Sequence, residues 1–139
     1  MVNKDVLMSR MDKLKEYVDF LETIKNHEKE RYMQDPYLYG AGERFLHLAI
    51  ECTIDIGNHL ISDMRYRKPG SNRDVFVVLQ ENKVIPPELG ERLADMASFR
   101  NILVHDYLKL DRGIVYDIIT GNLADFKSFA AQIAGHYFG

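Results

Sequence analysis

The sequence predicts an all-α fold, an antiparallel bundle of four long helices plus a short one. Three observations predict it. Apolar residues recur at steps of three and four along most of the chain, the period of an amphipathic helix. The breaks in that period carry helix punctuation, at Asp35-Pro36, Pro69-Gly70 and the prolines near Pro87. The connections between periodic segments are short, which favours antiparallel neighbours.

The first predicted helix spans roughly Lys4 to Tyr32. Leu7, Met11, Leu14, Val18, Leu21 and Ile24 form its stripe, and Lys and Glu crowd the other face. No Gly or Pro interrupts it. Asp35 is a good cap and Pro36 suits a first helical position, so a second helix is expected from there to about Met64. Its body, ERFLHLAIECTIDIGNHLI, is apolar around most of its circumference and should lie centrally. Gly57 there suggests a close approach of another helix. Ser71 or Asn72 caps a short helix through about Gln80, although DVFVVLQ also has strand character. A fourth helix starts near Pro87 and should run on toward Asp111. Asp111 then caps a last helix holding Ile114, Ile118, Leu123, Phe126, Phe129 and Ile133, weakened locally by Gly113 and Gly121. No repeat, low-complexity tract or linker interrupts residues 1–139, so one domain is expected.

Composition narrows the function. The 139 residues suit one sizeable core, and a hydrophobic fraction of 46% argues against disorder. With 18 basic and 21 acidic residues the net charge is −3, which disfavours tight non-specific binding of nucleic acid but leaves room for a small basic site. The single cysteine, Cys52, can form neither an internal disulfide nor a zinc site alone. Between Ile50 and Ile54 it reads as a buried thiol. The N-terminus carries charges throughout and lacks an apolar core, so no secretory signal is expected, and no run approaches the ~20 apolar residues of a membrane helix. A soluble, cytoplasmic protein is expected. Phosphate-binding loops, HExxH spacing and a nucleophile elbow are missing, and no metal or cofactor is expected.

One stretch breaks its own pattern. Leu89, Leu93 and Met96 repeat as one face of the fourth helix, and the same stripe continues through Arg100, Leu103, Tyr107 and Leu110. An arginine thus occupies a position that asks for a core residue, with His105 and Tyr107 close behind. Each residue turns an ideal helix by about 100°, so His105, five places on, points about 140° away from Arg100. Either the helix ends or distorts near His105, or two copies of the motif meet across an interface. In the second case the stripe faces another subunit rather than the core. Partners for Arg100 are available in the second helix, where Arg44, Glu51, Asp55, Asn58 and Ser62 form a polar stripe. Glu51 or Asp55 would pair with the guanidinium, either as a plain salt bridge or as a support that orients it.

The segment SFRNILVHDY resembles the R-x4-H-x-Y signature of HEPN-domain proteins, specifically the HepT toxin group. Arg100, His105 and Tyr107 take its defining positions, and Asn101 matches the polar residue that follows the arginine. ERFLHLAIECTIDIGNHLI resembles the group's second helix and DRGIVYDIITGNLADFKSFAAQI its last. The resemblance implies a helical homodimer with two motifs in one cleft. It implies a metal-independent RNA endonuclease, with Arg100 and His105 catalytic, acting as the toxin of a toxin–antitoxin pair. The implied partner is a minimal nucleotidyltransferase antitoxin of the MNT type, forming a larger hetero-oligomer with the toxin and transferring AMP from ATP to Tyr107. Asn101, Glu51 and Asp55 are the expected supporting residues. The competing reading is a non-catalytic docking subunit for the nucleotidyltransferase, which the acidic net charge favours.

Overall fold

A computed structural model describes residues 2–138, except that the side chain of Tyr107 lies outside what it describes. Seven α-helices are present among the described residues: α1 (Lys4–Lys25), α2 (Lys29–Gln34), α3 (Pro36–Met64), α4 (Asn72–Glu81), α5 (Pro87–His105), α6 (Arg112–Gly121) and α7 (Leu123–Tyr137). A 3-10 turn at Tyr107–Lys109 separates α5 from α6. The fold is all-helical, as the period of the sequence predicts.

Capping chemistry sets most boundaries. Asp35 accepts from the Tyr37 amide at 2.9 Å and starts α3 at Pro36. Ser71 accepts from the Asp74 amide at 3.1 Å, which decides DVFVVLQ for helix rather than strand. Asp111 accepts from the amides of Gly113 and Ile114 at 2.8 and 3.3 Å and opens α6.

Three boundaries differ from expectation. The first helix stops at Lys25 rather than Tyr32, because the chain turns at residues 26–28 and α2 docks separately. Tyr32 is fully buried, and the Tyr116 hydroxyl donates to the His27 carbonyl at 2.7 Å, so long-range contacts reward the turn. The last helix divides at Gly121 and Asn122 into α6 and α7. Asn122 Nδ2 donates to Asp125 Oδ2 at 3.2 Å, and Arg92 Nε donates to Asp125 Oδ1 at 2.8 Å, fixing the start of α7 to α5. The motif helix stops well short of Asp111, at His105, where one of the two readings of the motif has it end.

The central element is α3, which packs against each of the other six helices. Leu46, Ala49, Ile56 and Leu60 are fully excluded from solvent. At Gly57 the missing side chain has a clear cause: a Cβ there would lie 2.5 Å from Val75 Cγ1 of α4. Leu7, Leu14 and Leu21 of α1, Phe76 of α4 and Phe126 and Phe129 of α7 complete one continuous core. Among the described residues no helix is long and apolar enough to cross a membrane.

The stripe of α5 corrects one expectation. Leu89, Leu93 and Met96 are buried within the chain itself, so that part of the stripe faces the protein's own core and not another subunit. The reason is α4, which lies along α5. Arg73 of α4 reinforces the contact by donating from Nη1 to Asp95, Ser98 and the Ala94 carbonyl at 3.0, 2.9 and 3.1 Å. Past Arg100 the stripe opens: Leu103 and Leu110 are only half-buried.

Candidate functional site

The site lies where the open end of α5 crosses the N-terminal half of α3. Pro86 and Pro87 start α5, apolar residues seat its first three turns in the core, and the last turns emerge from it. The helix runs unbroken to His105. Asp106 then leaves helical geometry, and the Lys109 amide donates to the Asp106 carbonyl at 2.9 Å to form the 3-10 turn that carries Tyr107. Beyond it, Arg112 pins the chain to α2 and α3. Its Nη1 donates to the Met33 carbonyl at 3.2 Å, and its guanidinium lies 3.4 Å from the centre of the Tyr39 ring.

Arg100 turns toward α3. Its Nε donates to Glu51 Oε1 in a close ion pair, with 22% of the arginine side chain and 33% of the glutamate exposed. Its Nη1 also lies 3.5 Å from Asn101 Oδ1, a long contact to a side chain that is otherwise exposed. Asp55, one turn beyond Glu51, is exposed, and among the described residues no hydrogen bond or ion pair joins it to Arg100. Asn58 and Ser62 are exposed as well, so most of the polar stripe on α3 is a solvated edge. His105 is exposed at the helix end and its ring makes no hydrogen bond among the described residues. Tyr107 follows on the turn, its side chain outside the described part. Because α5 is continuous, the divergence of about 140° between Arg100 and His105 holds within one chain.

The structure adds a residue that the sequence reading passed over. His47 sits between Arg44 and Glu51 on the same face of α3, with Nδ1 3.5 Å from Arg44 Nη1 and Nε2 3.8 Å from Glu51 Oε1. Burial holds its pKa below the usual histidine range; Glu51 pulls the other way, while Arg44 and Arg100 add to the lowering. A neutral ring follows near pH 7. Since arginine only donates, Nδ1 is the acceptor and Nε2 carries the proton toward Glu51. At 3.8 Å from a neutral ring this is not an ion pair. The signal was available: His47 follows Arg44 by three residues and precedes Glu51 by four, which places all three on one helical face.

This helix end can therefore supply a guanidinium anchored by a carboxylate, an exposed imidazole, and an adjacent face with a second arginine. Among the described residues no group of three or more His, Cys, Asp or Glu side chains is placed to hold a metal ion.

Comparison with known proteins identifies the family. The sequence matches the family Ribonuclease HepT-like over residues 11–133. The chain belongs to the HepT-like ribonucleases. It is 27% identical over 128 residues to the tRNA nuclease HepT of Aphanizomenon flos-aquae, covering 92% of this chain and 87% of that protein. It is 30% identical over 125 residues to the mRNA nuclease HepT of Shewanella oneidensis, covering 90% and 93%. The fold superposes with a TM-score of 0.87 on the tri-AMPylated Shewanella oneidensis HEPN toxin in complex with an MNT antitoxin. That match has 29% identity and covers 94% of this chain and 98% of the other.

Proposed function

We propose that this HepT-like chain is the toxin of a toxin–antitoxin pair, an RNA endonuclease that works without a metal through a composite Arg100/His105 site at a homodimer interface. The observation that supports it most is the division of the motif along one unbroken helix. Arg100 is anchored on Glu51 while His105 projects from the helix end, about 140° away. One protomer is poorly placed to aim both at one phosphate, and a two-fold axis beside the end of α5 brings each motif opposite its copy.

The chemistry follows from the residue types. An RNA 2′-oxygen attacks the adjacent phosphorus, the bond to the 5′-oxygen breaks, and a 2′,3′-cyclic phosphate remains. One His105 takes the 2′-hydroxyl proton, and the partner subunit's His105 delivers a proton to the departing 5′-oxygen. Arg100 grips the phosphate oxygens and stabilises the charge that builds on them.

Neutralisation runs through a nucleotidyltransferase antitoxin of the MNT type, which adds AMP to Tyr107 and assembles with the dimer. AMPylation of the Shewanella oneidensis toxin supports this, as does the position of Tyr107 two residues past His105. An added AMP brings bulk and negative charge to the helix end and repels an RNA backbone.

The competing reading is a docking subunit with no activity of its own, favoured by the net charge of −3. Expression without the antitoxin separates the two. Growth arrest, with RNA cleavage that persists in EDTA and falls at least about 100-fold in Arg100→Ala and His105→Ala, is the expected result. Unchanged growth arrest in His105→Ala would sink the nuclease mechanism. Peptide mapping after incubation with antitoxin and ATP should place AMP on Tyr107, and equal modification of Tyr107→Phe would overturn that assignment.

A further inference from the structure

Alongside the Arg100–Glu51 pair, α3 presents Gly40, Arg44, His47 and Glu51 at spacings of four, three and four, hence on one face. This face and the end of α5 enclose an open groove of about 360 Å³, lined by Gly40, Glu43, Arg44, His47, Leu103 and Val104. The groove begins one helical turn from Glu51 and ends beside His105. Its volume lies within the range of ~300–1,000 Å³ typical of small-ligand sites. A Cβ built at Gly40 meets nothing within 4 Å, so a larger side chain has room there.

The lining is chemically divided. Leu103 and Val104 give an aliphatic wall. Arg44 is an exposed cation whose Nη1 is steadied by His47 Nδ1 at 3.5 Å, leaving the rest of its fork free for an anion. Glu43 is half-buried and offers a carboxyl oxygen as acceptor. Arg44 and Glu51 are seven residues apart, about 10 Å along the helix. An RNA strand with one phosphate at Arg100 and running along this face of α3 would bring its neighbouring residue to the groove and a phosphate to Arg44.

We propose that this groove is a one-nucleotide subsite for the RNA residue flanking the scissile phosphate. Arg44 binds the phosphate of that residue, Leu103 and Val104 receive its apolar face, and Glu43 accepts from the exocyclic amine of its base. Uracil, which has no such amine, is disfavoured there. The proposal rests on the ribonuclease reading above and adds a binding position that the Arg/His/Tyr motif does not include.

The test fills the groove without touching the motif. Gly40→Leu favours the helix and places a side chain in open space, and Gly40→Ala is its small control. Binding of a fluorescein-labelled RNA hexamer is read by anisotropy in the full chain carrying His105→Ala, and cleavage is read without that change. Gly40→Leu should weaken binding at least tenfold and raise KM with kcat within threefold, while Gly40→Ala stays within twofold. Arg44→Ala should raise KM to a similar extent, an arm that holds even if Gly40→Leu folds poorly by circular dichroism. Glu43→Gln should narrow the discrimination against uracil. Wild-type cleavage with Gly40→Leu, folded, and Arg44→Ala both indifferent removes the subsite and leaves the nuclease intact. Absence of both cleavage and binding in the wild type removes both readings. Displacement of the hexamer by AMP alone at equal concentration would overturn the subsite in favour of a free-nucleotide pocket.

Discussion

Arg100 Nε donates to Glu51 Oε1, so the arginine of the motif is held by a carboxylate on the central helix. The two residues lie 49 positions apart in sequence and join the helix that ends in His105 to the helix that packs against all the others. Both side chains keep some exposure, so the guanidinium is steadied without being sealed off from a substrate.

Glu51→Ala should therefore lower both stability and activity. A half-exposed pair falls between surface pairs at about 0–1 kcal/mol and buried ones at about 3–5 kcal/mol, so a loss of about 1–2 kcal/mol is expected in urea unfolding. Loss of orientation at Arg100 should reduce kcat for RNA by about tenfold, since misplacement of a charge-stabilising group acts on the transition state. Glu51→Gln keeps an acceptor oxygen and should recover most of the rate. Equal loss in the Ala and Gln variants would show that negative charge, and not orientation, is what Arg100 needs.

A second expectation concerns packing. Gly57→Ala drives a methyl to within 2.5 Å of Val75 Cγ1 and should cost about 1–3 kcal/mol. Val75→Ala alone opens a cavity and should cost about 2 kcal/mol. The double variant should be more stable than the sum of the two by at least about 1 kcal/mol, because the second change makes room for the first. Additive losses in a double-mutant cycle would mean that α4 does not rest on Gly57.

These cases mark what the sequence could express. The stripes of α1, α3 and α5 and the caps at Asp35, Ser71 and Asp111 are local signals, and helix positions followed from them. The turn after Lys25 carries no Gly or Pro; it exists because Tyr32 is buried and Tyr116 reaches the His27 carbonyl, neither of which is local. The polar stripe offered Arg100 two carboxylates one turn apart. Only the register of α5 against α3 selects Glu51 and leaves Asp55 in solvent. His47 carries no metal-ligand spacing, and its meaning lies in the face it shares with Arg44 and Glu51, three residues before it and four after.

Cys52 provides a third test. It is buried, its Sγ–H donates to the Arg10 carbonyl at 3.0 Å, and burial, aided by Asp55, pushes its thiol up to about 11. Against an ordinary value of 9.0, that reduces the reactive thiolate near pH 8 by about 100-fold, before any steric protection. Iodoacetamide should therefore label the folded protein at least about 100-fold more slowly than the protein in guanidinium. As the chain has one cysteine, intact mass reads the site directly. Rapid stoichiometric labelling of folded protein would show that α1 opens away from α3.

The fourth prediction uses pH. Burial raises the Glu43 carboxyl above its ordinary value of 4.5, with the positive charge of Arg112 opposing but not cancelling the effect. A carboxyl whose folded pKa lies above its unfolded one binds its proton more tightly in the folded state. Its contribution to stability is full below the unfolded value and is lost as pH rises through the folded value. Glutamine does not titrate, so the difference between Glu43→Gln and the parent isolates this one group from every other carboxylate. In paired thermal melts the variant should gain on the parent as pH rises from the ordinary value of 4.5 through the raised folded one. The sign discriminates between the two forces on the group. If the variant instead loses ground as pH rises, attraction to Arg112 outweighs the cost of burying the charge, and Glu43 stands as a charged partner of that arginine.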